Sequence, residues 1–426
     1  MLLRHVLTKE NVARLRRYGS GNGTVATDGS GTAVLDRKGR PVVLPFFQEE
    51  EVRQLQSLAF TWFTASGIQC CPERVPGQPF FLGLLGAFAA QTQDPDEEIV
   101  GLVRGGVPAC VGESVPSTGI YRPRAQHEMA PSGDPLVVCE GNWKSARDAP
   151  ETTLAEILAD VSDGYASELK GGLEEARRRW GTRLAGGKLG LASGDRLTGD
   201  GTVSGLNGNC ALPESHACPR VSDLDMCLRR ARSRSAPSWQ WMLVDFLCAH
   251  KQILLCEADR GLSLFHVDTP QGRRWFHYNT AFFGASFAQY YWGRVGGLIV
   301  RLVHVLLYTE HLALLYVDDL LIGLRHPGSE AQAQLVLAFL AIIGAPVSWR
   351  KFRLGRVLEW LGFHLDFRAE WQVALTEAKK EKILSSLTPL TAVGVKVLRR
   401  DLESLVGLLM WFTSIAPFHR PFLSEF

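Results

Sequence analysis

Apolar positions along the chain fall into two periods. In ETTLAEILADVSDGYASELKGGLEEARRRW they recur at three- and four-residue intervals, which predicts one or two helices beginning near residue 151. Further on, the strand-like pieces of WMLVDFLCAHKQILL and RRWFHYNTAFFGASF alternate with helical SDLDMCLRRARSR and ASFAQYYWGRVGGLIVRLVHVLLY. A helix (SEAQAQLVLAFLAIIG), a short Trp-rich strand pair (VLEWLGFHLDF) and two basic amphipathic helices follow. The glycine-rich GGKLGLASGDRLTGDGTVSGLNGN between these elements reads as a loop. Residues 1–150 are rich in Gly, Pro and Ser, and only EEEVRQLQSLAFTWFTASG and FFLGLLGAFAAQ predict helices there. Alternating strands and helices argue a sheet covered by helices, with no internal repeat.

One stretch breaks the pattern. Residues 312–324, LALLYVDDLLIGL, carry two adjacent carboxylates inside an apolar run. An acidic pair at a turn is ordinarily a choice of turn residue, but a solvent turn rarely sits in so continuous an apolar sequence. Buried carboxylates cost several kcal/mol unless paired or bound to metal. Asp318 and Asp319 would fall at the turn of a hairpin with buried flanks, where adjacent side chains point to opposite faces and only one easily faces a given site. Asp245 ends the apolar run WMLV in a similar setting. If the two strands are neighbours, Asp245 and Asp318 converge. Carboxylates sharing a site repel unless a divalent cation lies between them, and hard oxygen ligands suit Mg²⁺ in a two-metal phosphoryl-transfer site.

Composition narrows the setting. At 426 residues and 46% hydrophobic content the chain has room for two or three domains, and a net charge of +2 confines any nucleic-acid surface to local basic patches. Nine cysteines, an odd number without a C-x-x-C pair, imply a reducing compartment. Cys210, His216, Cys218 and Cys227 cluster loosely but miss the spacing rules for zinc. MLLRHVLTKENVARLRR is charged from residue 4 and lacks a secretory apolar core, and the most apolar segment is interrupted by Arg301, His304, Glu310, His311 and the Asp pair. The expected location is intracellular, in nucleus or cytoplasm, neither secreted nor in a membrane. TDGSG (Thr27 to Gly31) is similar to the first strand of an RNase H domain, but no second acidic strand follows at a sensible distance.

The motifs carry a resemblance. Asp245 in VDFLCAHKQI, FFGA at 282–285, YVDD at 316–319 and WLGF at 360–363 stand in the order of motifs A, B, C and E of reverse transcriptases. DRLTGDGTVSGLN resembles their finger segment, GAPVSWRKFRLG their motif D, and RRDLESLVGLLMWFTSIAPFHRPFL the region after the palm in retrotransposons of the DIRS type. The likeness covers roughly residues 95–426. It implies that Asp245 and Asp318 hold two Mg²⁺ ions, with Mn²⁺ as a substitute, that Asp319 supports the site, and that the carbonyl of Phe246 is a further ligand. Arg196 would bind the incoming triphosphate, Phe283 and Gly284 would border the nucleotide, and His250 would lie against its sugar. Lys351 would protonate the pyrophosphate or steady its charge. Trp360, Leu361 and Gly362 would form the hairpin that grips the primer end.

Three departures stand out. The family has Tyr or Phe where this chain has His250; Phe282, Ala288 and Gln289 replace the usual prolines and serine of motif B; and the finger loop is about two residues shorter between Gly194 and Asp200. The implied fold is α+β: a polymerase right hand with fingers and palm over 151–385, the start of a helical thumb or connection over 386–426, and an irregular N-terminal region over 1–150. Its partners would be an RNA or DNA template with primer, and deoxynucleoside triphosphates; oligomeric state is left open. A decayed, non-catalytic copy that binds nucleic acid is the alternative reading, and a template-dependent RNA polymerase, suggested by His250, is a third.

Overall fold

The computed structural model describes residues 2–193, 195–232, 239–391 and 398–423. Order begins well before residue 151. Helix α1 (Lys9–Gly19) starts at Thr8, whose hydroxyl accepts the Asn11 N–H. Residues 24–44 form a small antiparallel meander, bridged at Val25 to Val43 and at Thr27 to Ala33. Asp28, in the TDGSG segment, accepts the backbone N–H groups of Ser30 and Thr32 and so closes a turn of that meander. Helices α2 (Glu49–Ala65) and α3 (Leu82–Gln91) match the expected pair, and α4 (Glu98–Gly105) is an addition. Their order comes from distant partners, since Gln56 donates to the carbonyl of Ile342 and the Phe81 N–H to that of Ile343.

The 151–180 segment forms helices α5 (Pro150–Ser162) and α6 (Gly172–Trp180), with an unanticipated strand β1 (Ala166–Leu169) between them. The glycine-rich segment expected as a loop is instead a hairpin, β2 (Lys188–Ala192) with β3 (Arg196–Asp200). Its glycines serve packing. A Cβ on Gly199 would lie 2.6 Å from the Phe265 ring and 2.9 Å from Phe282, and one on Gly187 would lie 2.5 Å from the Asp200 carbonyl.

Further along the chain come helix α7 (Val221–Arg232), strands β4 (Trp239–Asp245), β5 (Leu264–Thr269) and β6 (Gly272–Tyr278), and the long helix α8 (Ser286–Leu306). The hairpin β7 (His311–Tyr316) and β8 (Asp319–Arg325) comes next, then α9 (Ser329–Ile342) and the short strand β9 (Arg353–Gly355). Strands β10 (Val357–Trp360), β11 (Phe363–Asp366) and β12 (Gln372–Leu375) precede α10 (Glu377–Leu387) and α11 (Arg399–Phe412). The architecture is mixed α and β with antiparallel sheets: a central β9-β4-β8-β7, a second β1-β6-β5 and a third β10-β11-β12.

Strand β4 reads as unbroken apolar sequence because both faces of the central sheet are covered. Met242 and Val244, with Leu320, Ile322 and Leu324 of β8, face the large core that also holds α8, α9 and the N-terminal Leu15, Phe46 and Phe63. Trp241, Leu243 and Leu321 point the other way, into a smaller core with Leu358, Trp360 and Phe363. The period of two then puts Asp245 and Asp319 on that second face, at the end of the sheet. Among the described residues no helix is long and apolar enough to cross a membrane.

Candidate active site

Strands β7 and β8 are joined by two residues, Val317 and Asp318, with Tyr316 paired to Asp319 across the turn. Val317 has φ of 51°, a left-handed backbone that a β-branched side chain adopts only when its surroundings impose it. Two bonds do so. The Trp292 indole on α8 donates to the Val317 carbonyl at 2.5 Å, and the Phe246 N–H donates to the Asp318 carbonyl at 2.8 Å. The turn is thus pinned from the helix beneath it and from the chain leaving β4.

The register sets Asp319 directly opposite Asp245. Asp245 is 3% exposed, and the Lys351 Nζ lies 2.5 Å from its Oδ2. Burial raises the Asp245 carboxyl above its usual range, an effect that Lys351 opposes and the Asp318 charge reinforces. Asp319 is pushed up to about 7, first by burial and then by the charges of Asp318 and Asp245. Asp245 and Asp319 thus face each other at one sheet end, and both feel the charge of Asp318 in the turn beside them. Repulsion of this kind is what a divalent cation relieves. Among the described residues no three His, Cys, Asp or Glu side chains are arranged as a ready metal cage. An oxygen-only donor set of this size fits Mg²⁺, which uses one or two carboxylates and keeps waters or phosphates as its other ligands.

The Phe246 ring is buried against Trp292. Its bridge to Val347 is closed by the Leu247 N–H to Pro346 and the Ser348 N–H to the Asp245 carbonyl, so that pairing does not use the Phe246 carbonyl.

The residues expected around a nucleotide make contacts among themselves, and His250 feels the charge of Asp318. Arg196, at the start of β3, is exposed and lies over the Phe283 ring at 4.5 Å. Gly194, which opens the shortened loop, lies outside the described residues. His250, in a short turn after β4, tilts against Phe283 and sets its Nε2 3.1 Å from the Gln289 Oε1. An amide oxygen only accepts, so Nε2 carries the proton and Nδ1 keeps a lone pair. Burial lowers the His250 pKa, against the pull of Gln289 and Asp318.

Gly284 has φ of 109°, and a Cβ there would lie 1.8 Å from the Gly199 carbonyl. The glycine is explained by contact with β3, not by a close approach to a ligand. Asn207 completes the junction: its side chain donates to the Gly284 carbonyl and accepts the Ser286 N–H that opens α8. Gly284→Ala is expected to cost more than about 2 kcal/mol in urea unfolding, through the clash and the left-handed backbone together. An unchanged midpoint would remove β3 contact as the reason for the glycine.

The β10–β11 hairpin requires a correction. Trp360 is 1% exposed and its ring is core, packed with Trp241 and Phe363, so it offers nothing to a primer. The tip is Leu361 and Gly362, with φ of 53° and 77°, the paired positive values of a tight two-residue hairpin turn. This tip, Tyr316, Asp319, Lys379 and Trp411 border a cleft of about 830 Å³, which Arg220 and Arg420 also line. Trp411 stacks on Phe363 at 4.3 Å, seating α11 beside the hairpin.

Trp292 was not legible as a site residue, because nothing in a helix sequence ties an indole to a turn 25 residues on, and Gln289 stood out as a departure from motif B without its bond to His250. Asn207 ends the finger-like segment DRLTGDGTVSGLN, and nothing in the sequence shows that it ties Gly284 to the start of α8.

No protein-family model matches the chain, and no curated protein is similar to it. Among solved structures, the foamy viral protease-reverse transcriptase dRH in complex with double-stranded DNA is similar at 13% identity and a TM-score of 0.47, covering 88% of this chain and 55% of that one. The foamy viral protease-reverse transcriptase in complex with double-stranded DNA is similar at 16% identity and a TM-score of 0.42, covering 68% of this chain and 53% of that one. The chain spans about half the length of these two structures.

Proposed function

We propose that this chain is a template-directed nucleotidyltransferase, an RNA-directed DNA polymerase of a retrotransposon similar to the DIRS type. In this reading the central sheet is the palm, β2–β3 belongs to the fingers and the helices after residue 386 begin a thumb or connection. The observation that carries the proposal is the gathering of Asp245, Asp318 and Asp319 at one sheet end, with Lys351 on Asp245, beside a cleft bordered by basic side chains.

Asp245 and Asp318, supported by Asp319, would hold Mg²⁺, or Mn²⁺ in its place. When bound, the ions supply charge neutralisation on the triphosphate and a more acidic primer 3′-hydroxyl. The protein's own groups do the rest. Arg196, backed by the Phe283 ring, offers a planar fork to the incoming phosphates. The Lys351 Nζ carries a proton toward the leaving pyrophosphate and neutralises its charge. The hairpin tip at Leu361 and Gly362 positions the primer end, and the segments WRKFRLGR and EAKKEK add salt-dependent affinity for the hybrid. Primer extension on an RNA template with deoxynucleotides tests the proposal directly. Extension that requires a DNA template would replace reverse transcription with DNA-directed synthesis.

The sugar gate is a separate expectation. His250 presents a small ring with a free lone pair where a bulky phenol would reject a 2′-hydroxyl. His250→Tyr should raise the preference for deoxy- over ribonucleotides ten- to a hundredfold, since an avoided clash is worth about 1–3 kcal/mol. Equal discrimination by both proteins in single-nucleotide incorporation would rule His250 out as the gate.

A further inference from the structure

At the end of the central sheet remote from the carboxylates, α8 runs into β7, and two histidines meet. The Nδ1 of His304, on the last turn of α8, lies 2.8 Å from the Nε2 of His311, the first residue of β7. On the other side of the His311 ring, Nδ1 lies 2.7 Å from the Thr309 carbonyl. A carbonyl can only accept, so this nitrogen holds the proton and Nε2 presents its lone pair to His304. A backbone carbonyl fixing the tautomer of an imidazole in this way is the usual outer-sphere arrangement of a metal-binding histidine. His304 is exposed, so its ring can turn and solvent can reach the pair.

We propose that His304 and His311 form a site for a borderline divalent transition metal such as Ni²⁺, Cu²⁺ or Zn²⁺, separate from the hard-cation carboxylates. Two nitrogens at about 2.0–2.1 Å from one ion, at tetrahedral to right-angle geometry, stand about 2.8–3.4 Å apart. The observed 2.8 Å lies at the short end of this range, and turning the exposed His304 ring aims both lone pairs at one ion. Binding shifts the His304 proton from Nδ1 to Nε2, leaving both facing nitrogens as lone-pair donors with no net proton released. Imidazole nitrogens select these ions over Mg²⁺. Glu310, the nearest carboxylate in sequence, is held by Arg325 at 2.9 Å, so water fills the remaining positions. The proposal is independent of any polymerase activity.

The test is calorimetric titration of the full chain with Ni²⁺, in the wild type, in H304Q/H311Q and in D245N/D318N. The strongest site of the wild type should weaken at least about tenfold in the histidine variant and persist in the aspartate variant. Cu²⁺ bound to the wild type should show hyperfine splitting from two nitrogens, and H304Q alone, at an exposed position, should reduce this to one. Loss of the strongest site in D245N/D318N instead, or an unchanged Ni²⁺ isotherm in H304Q/H311Q, would overturn the assignment.

Discussion

Asp318→Asn is expected to lower primer extension by about a thousandfold or more while changing hybrid affinity little. The substitution keeps volume and shape, and the turn that carries residue 318 is held through its backbone: the Phe246 N–H reaches the Asp318 carbonyl and Trp292 reaches that of Val317. What changes is one negative charge at the sheet end shared with Asp245 and Asp319. Loss of an anionic ligand removes several kcal/mol of transition-state charge stabilisation, and about 4 kcal/mol is a factor of a thousand. Hybrid affinity comes mainly from cationic contacts to phosphate and should survive. Parallel extension and filter-binding assays separate the two quantities. Activity within tenfold of the wild type would remove Asp318 from the catalytic group. A wild type that binds hybrid yet never extends a primer with Mg²⁺ or Mn²⁺ would establish the decayed-copy reading in place of the enzyme.

The acidic hairpin was legible because its charges interrupt apolar sequence, and a chain can bury such charges only for a reason. The detail of the hairpin was not legible. Strand period alone assigns Asp318 and Asp319 to opposite faces, but Asp318 sits in the turn and only Asp319 has a strand position, opposite Asp245. The β2–β3 hairpin was hidden for a different reason. Its glycines look like loop punctuation in sequence, whereas Gly187 and Gly199 are small because Phe265 and Phe282 lie against them, and those aromatics come from elements some 65 to 85 residues downstream. Trp360 shows the converse, a residue whose motif suggests a surface role and whose ring fills the smaller core. The N-terminal 150 residues were the least legible. Arg16 pairs with Glu330 and Gln56 caps the end of α9, contacts across roughly 300 residues of chain that leave no periodic trace.

The strongest of these long-range ties gives the second large effect: Asp96→Ala should destabilise the fold by about 3–5 kcal/mol. Asp96 lies between α3 and α4 and accepts from the Arg294 Nε at 3.0 Å and Nη2 at 2.6 Å, with side chains 1% and 2% exposed. Burial alone would depress the guanidinium pKa; the hydrogen bond and charge of the Asp96 carboxylate more than offset this, so the guanidinium stays charged. One turn-pair further along α8, Arg301 grips Asp94 at 2.7 and 2.8 Å. Two arginines of one helix thus clamp a short acidic loop of the N-terminal region. Removing the Asp96 carboxylate strands the Arg294 charge in a site water cannot reach, and that uncompensated charge, rather than the lost attraction, dominates the cost. The double variant D96L/R294M should then recover most of the loss, because an apolar pair of similar volume carries no desolvation penalty. Urea unfolding of the wild type, D96L, R294M and D96L/R294M forms a complete cycle. A single-variant cost below about 1 kcal/mol would mean that solvent reaches Arg294 and that the N-terminal region is held to α8 by its apolar contacts alone.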